Sequence, residues 1–315
     1  MEPKLVRWVL AHEPIELFIR AAEKFSEIIE ARAPNRLKIE ILLLSEYSEK
    51  YNNGVNITKH QLLDLMAQDK IEMSQMYTYT LSKFNKDLDV LDMPFLFRDH
   101  AHAARVFEGS IGQELLEGYS KNDSKIKGMA FTYSGGFTNV PSSMNVTSLN
   151  DLVGTKVRVS RSPVAYDTWV ALGADPVVME IEDVANGLRD GNIDAGESSW
   201  PRIYGLNQNN VTKSILNTEH HLLLTNIIIN TDFFNNLDPE LQSIMMEAAV
   251  EAARFERNIS IDDVIPTIEK AEADGIIIIN LSDEEREIFK SSTVGLYEKY
   301  ENYFTAGLIE KIIKN

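Results

Sequence analysis

The sequence predicts an α/β protein that contains two α/β units in succession. Short apolar runs typical of strands alternate with segments that have the three- to four-residue apolar spacing of helices. This alternation fills residues 5–77 and resumes between residues 127 and 195. Hydrophobic residues make up 44% and charged residues 25% of the 315 residues, which is typical of folded chains and excludes a disordered or fibrous protein.

The first unit opens with the order βαβαβ. Pro14 stands just before the first apolar-periodic segment and suits the first turn of a helix. The elements follow one another as strand 5–10, helix 15–29, strand 37–41, helix 62–66 and strand 70–77. Strands that alternate with helices in this way predict a parallel sheet with helices against its faces.

The second unit repeats this alternation. Its predicted elements are strand 127–133, strand 155–160, helix 166–172, strand 176–179, helix 184–188 and strand 194–195. We expect the segments 135–139 (GGFTN), 160–163 (SRSP) and 197–201 (ESSWP) to form loops beside these strands. Ligands of open α/β sheets bind at the carboxyl ends of the strands, so these loops are the predicted binding region.

The last third of the chain predicts a buried strand and a long helix. Residues 222–229 (LLLTNIII) are almost wholly apolar, and the run from Asp238 to Glu240 supplies a cap, a first-turn proline and an acidic first turn for a helix that continues to Phe255. Residues 276–279 (IIII) predict another strand, and Ser282 opens one more helix.

Charge and composition exclude several classes of partner. The chain has 31 basic and 48 acidic side chains, a formal net charge of -17, so nucleic acid and anionic membranes are unsuitable partners. No apolar run approaches the ~20 residues that cross a bilayer, so we expect no direct membrane insertion. Cysteine is absent, which excludes disulfides and thiolate chemistry. Residues 1–5 lead straight into a strand, and we expect that a signal peptide has been removed.

Sequence motifs for cofactor chemistry are missing. The chain has no G-x-G-x-x-G, Walker, G-x-S-x-G or H-E-x-x-H motif, so we expect no cofactor and no catalytic residues. The only histidine groupings are His100 with His102 and the adjacent His220 and His221, and neither has carboxylates at ligand spacing. We expect these histidines to be structural residues at the surface or at helix starts, and we expect no metal site.

Arg158 is the most informative single residue. It lies inside a predicted strand between Val157 and Val159, where a charge is costly unless an anion meets it. Its planar guanidinium suits two-point capture of a carboxylate, but an internal salt bridge would explain it as well.

Glu13 directly follows the first strand, so its side chain is expected near the carboxyl end of that strand. It could receive an ammonium or hydroxyl group of a ligand. An acidic residue favoured by the dipole at a helix N-terminus is the alternative explanation.

Several stretches together resemble the solute receptors of tripartite ATP-independent periplasmic (TRAP) transporters. They occur in the order and at the spacing of that family over most of the chain. The matching stretches are 92–109 (DMPFLFRDHAHAARVFEG), 135–139, 148–164 (SLNDLVGTKVRVSRSPV), 171–179 (ALGADPVVM), 191–199 (GNIDAGESS) and 237–258 (LDPELQSIMMEAAVEAARFERN).

The resemblance implies a two-lobed periplasmic binding protein fold, with a hinge cleft and a long helix that spans both lobes. Breaks in the strand–helix pattern near Tyr133 and His221 place residues 1–131 and 222–260 in lobe I, and residues 132–221 and 261–315 in lobe II. A receptor of this kind is periplasmic, closes around a small organic acid and delivers it to the membrane subunits of the transporter.

The resemblance also favours the ligand-binding explanation of Arg158, which matches the arginine that pairs with the substrate carboxylate. Ser198 matches a second site position, beside Glu197. The family often has an arginine where this chain has Thr138, so a substrate with two carboxylates is disfavoured. The family has an aromatic residue where this chain has Ile181, so stacking on the ligand is lost at that position. The other site candidates are Ser160 and four aromatic residues that could equally be core residues: Phe137, Tyr77, Tyr133 and Trp200.

The ligand and two rival functions remain open at this stage. The run Ala11-His12-Glu13 resembles a segment of ectoine-binding receptors, which raises a zwitterion or amino-acid-like ligand beside an unspecified monocarboxylate. A ligand-binding sensor domain would have the same binding site but a different partner. An α/β enzyme acting on a small acid could use Glu13 or Glu197 as a base.

Overall fold

Strands and helices alternate along most of the chain, as the sequence predicts. The computed structural model describes residues 2–12, 16–122 and 124–315, with the side chains of residues 121 and 122 left out. The chain forms two compact units. The first contains residues 1–85, 107–133 and 224–259, and the second contains residues 86–106, 134–223 and 260–315.

Within the described residues the strands are, in chain order, β1 (Lys4–Leu10), β2 (Leu37–Leu43), β3 (Met73–Tyr77), β4 (Ile126–Ser142), β5 (Lys156–Val159), β6 (Asp175–Val178), β7 (Ala195–Gly196), β8 (Ser198–Ser199), β9 (Ser214–Asn217), β10 (Leu222–Asn230) and β11 (Ile277–Asn280).

The described α-helices are α1 (Glu16–Arg32), α2 (Leu44–Tyr51), α3 (Lys59–Ala67), α4 (Thr78–Leu81), α5 (His100–Glu108), α6 (Ser110–Glu117), α7 (Pro163–Ala171), α8 (Val184–Asp190), α9 (Trp200–Gly205), α10 (Thr231–Asn235), α11 (Pro239–Asp262), α12 (Val264–Ala273), α13 (Asp283–Thr293), α14 (Gly295–Tyr300) and α15 (Leu308–Lys314). In the part of the chain described here, no helix is both long and apolar enough to cross a membrane.

The first unit is built on a mixed sheet. Strand β1 lies between β2 and β3 and runs parallel to both, while β10 pairs antiparallel with β3. Every residue of β10 is buried, which explains its unbroken apolar run. Trp8, Phe18, Phe25 and Met245 belong to one core cluster, which joins the sheet to α1 and α11.

A buried polar cluster fixes the long helix α11 to three strands of the first unit. The side-chain amide nitrogen of Gln75 on β3 lies 3.0 Å from the hydroxyl groups of both Thr132 on β4 and Thr225 on β10. The same nitrogen lies 2.8 and 2.9 Å from the carboxylate oxygens of Glu256 on α11. These groups are fully buried, so their hydrogen bonds constrain the helix more specifically than apolar contacts would.

The second unit contains the strands that carry most of the predicted site. Strand β5 runs parallel to β6 on one side and to β7 on the other, and β4 pairs antiparallel with β7, β8 and β9. Val157 and Val159 pack with Trp169 and Phe289 in a single core cluster. Because side chains alternate along a strand, Arg158 points away from the face that its two valine neighbours occupy.

The segment 135–139 is not a loop, and the sequence prediction is wrong here. It lies within β4, which runs on from residue 126 to residue 142. Gly135 and Gly136 have φ values of 92° and 86°, a conformation that other residues rarely adopt. The strand therefore continues through a glycine pair that by itself is typical of a turn.

Residues 86–106 belong to the second unit, whereas the predicted boundaries placed them in lobe I. Their partners lie near the C-terminus: the backbone N–H of Thr305 donates to Asp87 at 2.8 Å, and His102 Nε2 lies 2.8 Å from the carbonyl oxygen of Ile312. These contacts join segments about two hundred residues apart, so no local pattern could predict them. The predicted lobe boundaries themselves stay a prediction.

Most of the predicted elements are confirmed, including β1, α1, β5, α7 and β10. The predicted caps are also present: Asp238 accepts from the N–H of Leu241 at 3.1 Å, and Ser282 accepts from the N–H of Glu285 at 3.2 Å. Helix α2 was not predicted, because its eight residues carry few apolar side chains.

We expect Gly135→Ala to destabilise the protein more than Gly154→Ala. Both glycines have positive φ, where a Cβ costs about 1–2 kcal/mol. A Cβ at Gly135 would also lie 2.3 Å from Ser199 Oγ, while one at Gly154 has nothing within 4 Å, so the first variant should lose about 1–3 kcal/mol more. Urea unfolding followed by circular dichroism measures both losses, and equal losses would contradict the close packing of β4 at Gly135.

We expect the stability gained by Asp92→Asn to grow as the pH rises from 4 to 7. Desolvation raises the pKa of Asp92 to about 7, with a hydrogen bond to Ser162 opposing the rise and the charges of Asp89 and Glu197 adding to it. The folded protein therefore holds this proton more tightly than the unfolded chain, whose Asp pKa is about 3.9, and loses stability as Asp92 ionises.

Melting temperatures of the parent and of Asp92→Asn at pH 4, 5.5, 7 and 8.5 measure this effect. Their difference should widen up to pH 7 and then level off. A constant difference across this range would show that Asp92 titrates normally.

Candidate functional site

Arg158 is buried in β5, with 2% of its surface exposed. Its Nε donates to the carbonyl oxygen of Met179 at 2.7 Å, and its Nη1 reaches the carbonyl oxygen of Glu197 at 3.5 Å. Its Nη2 is buried and has no hydrogen-bond partner among the described residues. Arg158 makes no ion pair with a carboxylate among the described residues, so its contacts do not support the salt-bridge explanation.

Glu197 has its carboxylate buried within the second unit. Its Oε1 accepts hydrogen bonds from Trp169 Nε1 at 2.6 Å and from His220 Nε2 at 2.8 Å. His221 Nδ1 lies 3.9 Å from the same oxygen. Protein groups thus surround the predicted site residue Glu197, and its carbonyl oxygen rather than its carboxylate contacts Arg158.

The charges of this cluster follow from its burial and its hydrogen bonds. Burial alone would raise the pKa of Glu197, but the hydrogen bond from His220 and the neighbouring His221 hold this pKa below its usual range. Burial lowers the pKa of His221 to about 4; Glu197 opposes this shift, while His220 and the charge of Arg158 favour it. At neutral pH Glu197 is therefore ionised and His221 is neutral.

The expectation for His220 and His221 is wrong. The two residues are 1% and 8% exposed, and they lie against a carboxylate more than twenty residues away in sequence. His220 Nδ1 is 2.8 Å from Thr218 Oγ1, and its ring packs against Phe289 with the ring centres 5.3 Å apart. His100 and His102 of the other grouping lie in the first turn of α5, which confirms the expected helix start, although His102 is buried.

Glu197, His220 and His221 each offer one atom of a type that ligates metals, and these atoms lie within 4.8 Å of one another. An ionised carboxylate can only accept hydrogen bonds, so His220 Nε2 carries a hydrogen that points at Glu197. A metal ion would need that nitrogen bare, and it would meet the positive charge of Arg158 near His221. The cluster therefore fits a hydrogen-bonded support better than a metal centre.

Ser198 and Asn139 bring further unpartnered polar atoms to the second unit. They face each other across the antiparallel pair of β8 and β4. Ser198 Oγ and Asn139 Nδ2 are buried and have no hydrogen-bond partner within the described ranges. Ser160, the residue after β5, is 8% exposed, and its Oγ accepts from the N–H of Ser162 at 3.4 Å.

Thr138 has its hydroxyl group directed at a neighbouring histidine. Thr138 Oγ1 lies 2.8 Å from His221 Nδ1 and 3.2 Å from the carbonyl oxygen of His221. Phe137, the next residue toward the N-terminus, is partly buried and packs against His100 with the ring centres 4.9 Å apart.

The other aromatic candidates are packed inside their units. Trp200 belongs to a core cluster with Ile203 and Ile215, although its Nε1 has no hydrogen-bond partner in the described structure. In the first unit Tyr77 stacks on Tyr79 with ring centres 5.2 Å apart, and Tyr133 is 1% exposed. Glu13 lies outside the described residues.

The structure thus groups Arg158, Ser198, Ser160, Thr138 and Glu197 in the second unit. Sequence reasoning missed His220, His221, Trp169 and Asn139 as parts of this group. The only indication in the sequence was the pair of adjacent histidines directly before the apolar run of β10.

A protein-family model and named bacterial relatives show which known proteins this chain resembles. The family model described as bacterial extracellular solute-binding protein, family 7 (DctP), matches residues 11–303. The chain is 26% identical over 272 residues to the 2,3-diketo-L-gulonate-binding periplasmic protein YiaO of Escherichia coli (strain K12), covering 86% of this chain and 79% of that protein. It is 28% identical over 252 residues to the C4-dicarboxylate-binding periplasmic protein DctP of Rhodobacter capsulatus, covering 75% of this chain and 73% of that protein.

Solved structures share the fold. A TRAP periplasmic solute binding protein from Pseudomonas putida F1, solved with bound D-glucuronate, matches with a TM-score of 0.85 at 24% sequence identity, covering 98% of this chain and 96% of that chain. This likeness confirms the predicted two-lobed binding-protein fold. The predicted family and the predicted extracytoplasmic location are confirmed as well: the chain belongs to family 7 of the bacterial extracellular solute-binding proteins, the solute receptors of TRAP transporters.

Proposed function

We propose that this receptor binds one small monocarboxylate through Arg158 and delivers it to the membrane subunits of a TRAP transporter. The observation that carries this proposal is the buried Nη2 of Arg158, which has no hydrogen-bond partner among the described residues. A buried charged donor without a partner is costly, so a protein keeps one where a ligand supplies the partner.

The surroundings of Arg158 favour a single carboxylate. Thr138 carries no charge, and His221 beside it is neutral at pH 7 because burial lowers its pKa to about 4. Arg161, on the loop after β5, is largely exposed and pairs with Glu180 at 2.9 Å. Residues 138, 161 and 221 therefore offer no available cation to a second carboxylate on the ligand. The organic acids named for the two relatives and for the solved structure support the general class of ligand.

An enzymatic role for Glu197 is disfavoured by its contacts. A general base works best with a pKa near the operating pH, whereas the hydrogen bond from His220 and the neighbouring His221 hold the pKa of Glu197 below its usual range despite burial. A zwitterionic ligand held by Glu13 stays a prediction, since Glu13 lies outside the described residues. A sensor domain would bind the same acids, and the neighbouring genes would distinguish it from a transport receptor.

Binding should stabilise the protein by mass action. A ligand present at a hundred times its dissociation constant adds about 2.7 kcal/mol to the free energy of unfolding. A thermal-shift screen of small monocarboxylates, each paired with its uncharged amide, should raise the melting temperature with the acid only. Equal shifts with acid and amide would contradict recognition of the anion.

Arg158→Ala should remove most of the affinity and leave the fold largely intact. A buried carboxylate that loses its guanidinium partner costs roughly 3–5 kcal/mol, which is about a hundred-fold to a few thousand-fold weaker binding. Arg158→Lys should recover only part of it, because lysine keeps the charge and loses the planar pair of donors. Calorimetric titration with an acid found in the screen measures all three affinities.

The matched control is Arg189→Ala, which removes an exposed arginine from the same unit. It should bind like the parent protein. If a folded Arg158→Ala protein bound within about three-fold of the parent, Arg161 or Arg202 would be the next candidate for the anion site.

A further inference from the structure

His221 presents one ring nitrogen that the rest of the described structure leaves unused. Its Nδ1 lies 2.8 Å from Thr138 Oγ1, but its Nε2 has no hydrogen-bond partner in the described ranges. The residue is 8% exposed, so its ring is packed in place but is not completely closed off from solvent. His221 and Arg158 both lie against Glu197: His221 Nδ1 is 3.9 Å from its Oε1, and Arg158 Nη1 is 3.5 Å from its carbonyl oxygen.

The hydrogen bonds around His221 indicate which nitrogen carries the hydrogen. Thr138 has one hydroxyl hydrogen, and the carbonyl oxygen of His221 accepts it at 3.2 Å. Thr138 Oγ1 is then free to accept a hydrogen from Nδ1. The ionised Glu197, with Oε1 3.9 Å from Nδ1, favours the same arrangement. The hydrogen therefore belongs on Nδ1, and Nε2 keeps a lone pair.

The guanidinium of Arg158 and the neutral acceptor nitrogen of His221 each favour a different chemical group on the ligand. A carboxylate fits Arg158, and a hydroxyl group fits His221 Nε2, because a hydroxyl can donate a hydrogen. A keto oxygen and a second carboxylate have no hydrogen to donate, and each would face the lone pair of Nε2. A carbon that carries only hydrogen would leave the nitrogen unpaired.

We infer that His221 Nε2 accepts a hydrogen bond from a hydroxyl group of the bound acid, which makes the receptor selective for hydroxy monocarboxylates. Thr138 is the positioning residue, since its hydroxyl group holds the imidazole in the required tautomer. The inference rests on the proposed function, in which Arg158 holds the carboxylate, and it adds the class of substrate.

Calorimetric titration at pH 7.5 tests this inference with matched acids. The probes are D-gluconate and D-erythronate, their hydroxyl-free counterparts hexanoate and butanoate, and the dicarboxylate succinate. Of the two hydroxy acids, the one that the parent protein binds more tightly should also bind more tightly than its hydroxyl-free counterpart and more tightly than succinate. One neutral hydrogen bond accounts for about a two- to ten-fold preference, and each further hydroxyl contact increases it.

His221→Phe keeps a flat ring of similar size and removes the acceptor. It should lower the preference for the hydroxy acid by about two- to ten-fold, with the affinity for the hydroxyl-free acid changed little. Thr138→Val keeps the shape of residue 138 and frees the imidazole to take the other tautomer, so it should lower the same preference less. His60→Phe, at an exposed histidine of the first unit, is the control and should change neither affinity.

The outcomes separate this inference from the proposed function. If both His221→Phe and Thr138→Val keep the preference of the parent while Arg158→Ala loses all binding, the role of His221 is overturned and the proposed function stands. A parent protein that prefers succinate or the hydroxyl-free acids would overturn the role of His221 as well. If Arg158→Ala binds every acid like the parent, both proposals fail. Circular dichroism shows which variants fold, and Thr138→Val provides the test if His221→Phe does not.

Discussion

The hydrogen bonds that Arg158 makes through Nε and Nη1 leave its Nη2 inside the protein without a partner in the described structure. Both acceptors are backbone carbonyl oxygens, so neither neutralises the charge. Burying a guanidinium under these conditions is unfavourable unless an anion arrives. The neighbouring strands hold this arginine in place, because β5 pairs with β6 and β7 and brings Met179 and Glu197 to either side of it.

Glu197 helps to hold Arg158 in position. Its carboxylate is held by Trp169 and His220, which fixes the backbone whose carbonyl oxygen meets Arg158. The buried negative charge also lies near His221, a neutral histidine that belongs to the same unit. One cation, one buried anion and one neutral imidazole thus lie together in the second unit, and the proposed binding of a single carboxylate by Arg158 rests on this arrangement.

Local sequence patterns predicted much of this structure and only part of the site. A charge between two valines on a strand indicated that Arg158 needs a partner, and the described structure leaves its Nη2 without one. The continuation of β4 through Gly135 and Gly136 was not predictable, since paired glycines are typical of turns and only the approach of Ser199 requires them here. His220 and His221 lie more than twenty residues from Glu197, so their grouping depends on the tertiary fold.

The family added what local patterns could not supply, namely the identity of Arg158 as a candidate ligand residue rather than half of a salt bridge. The most direct test of this account is a crystal structure of the protein with a monocarboxylate that it binds. The account predicts a carboxylate oxygen within about 3 Å of Arg158 Nη2, in the geometry of a charge-assisted hydrogen bond. A bound acid whose carboxylate pairs instead with Arg161 or Arg202, with Arg158 Nη2 still unpartnered, would contradict it.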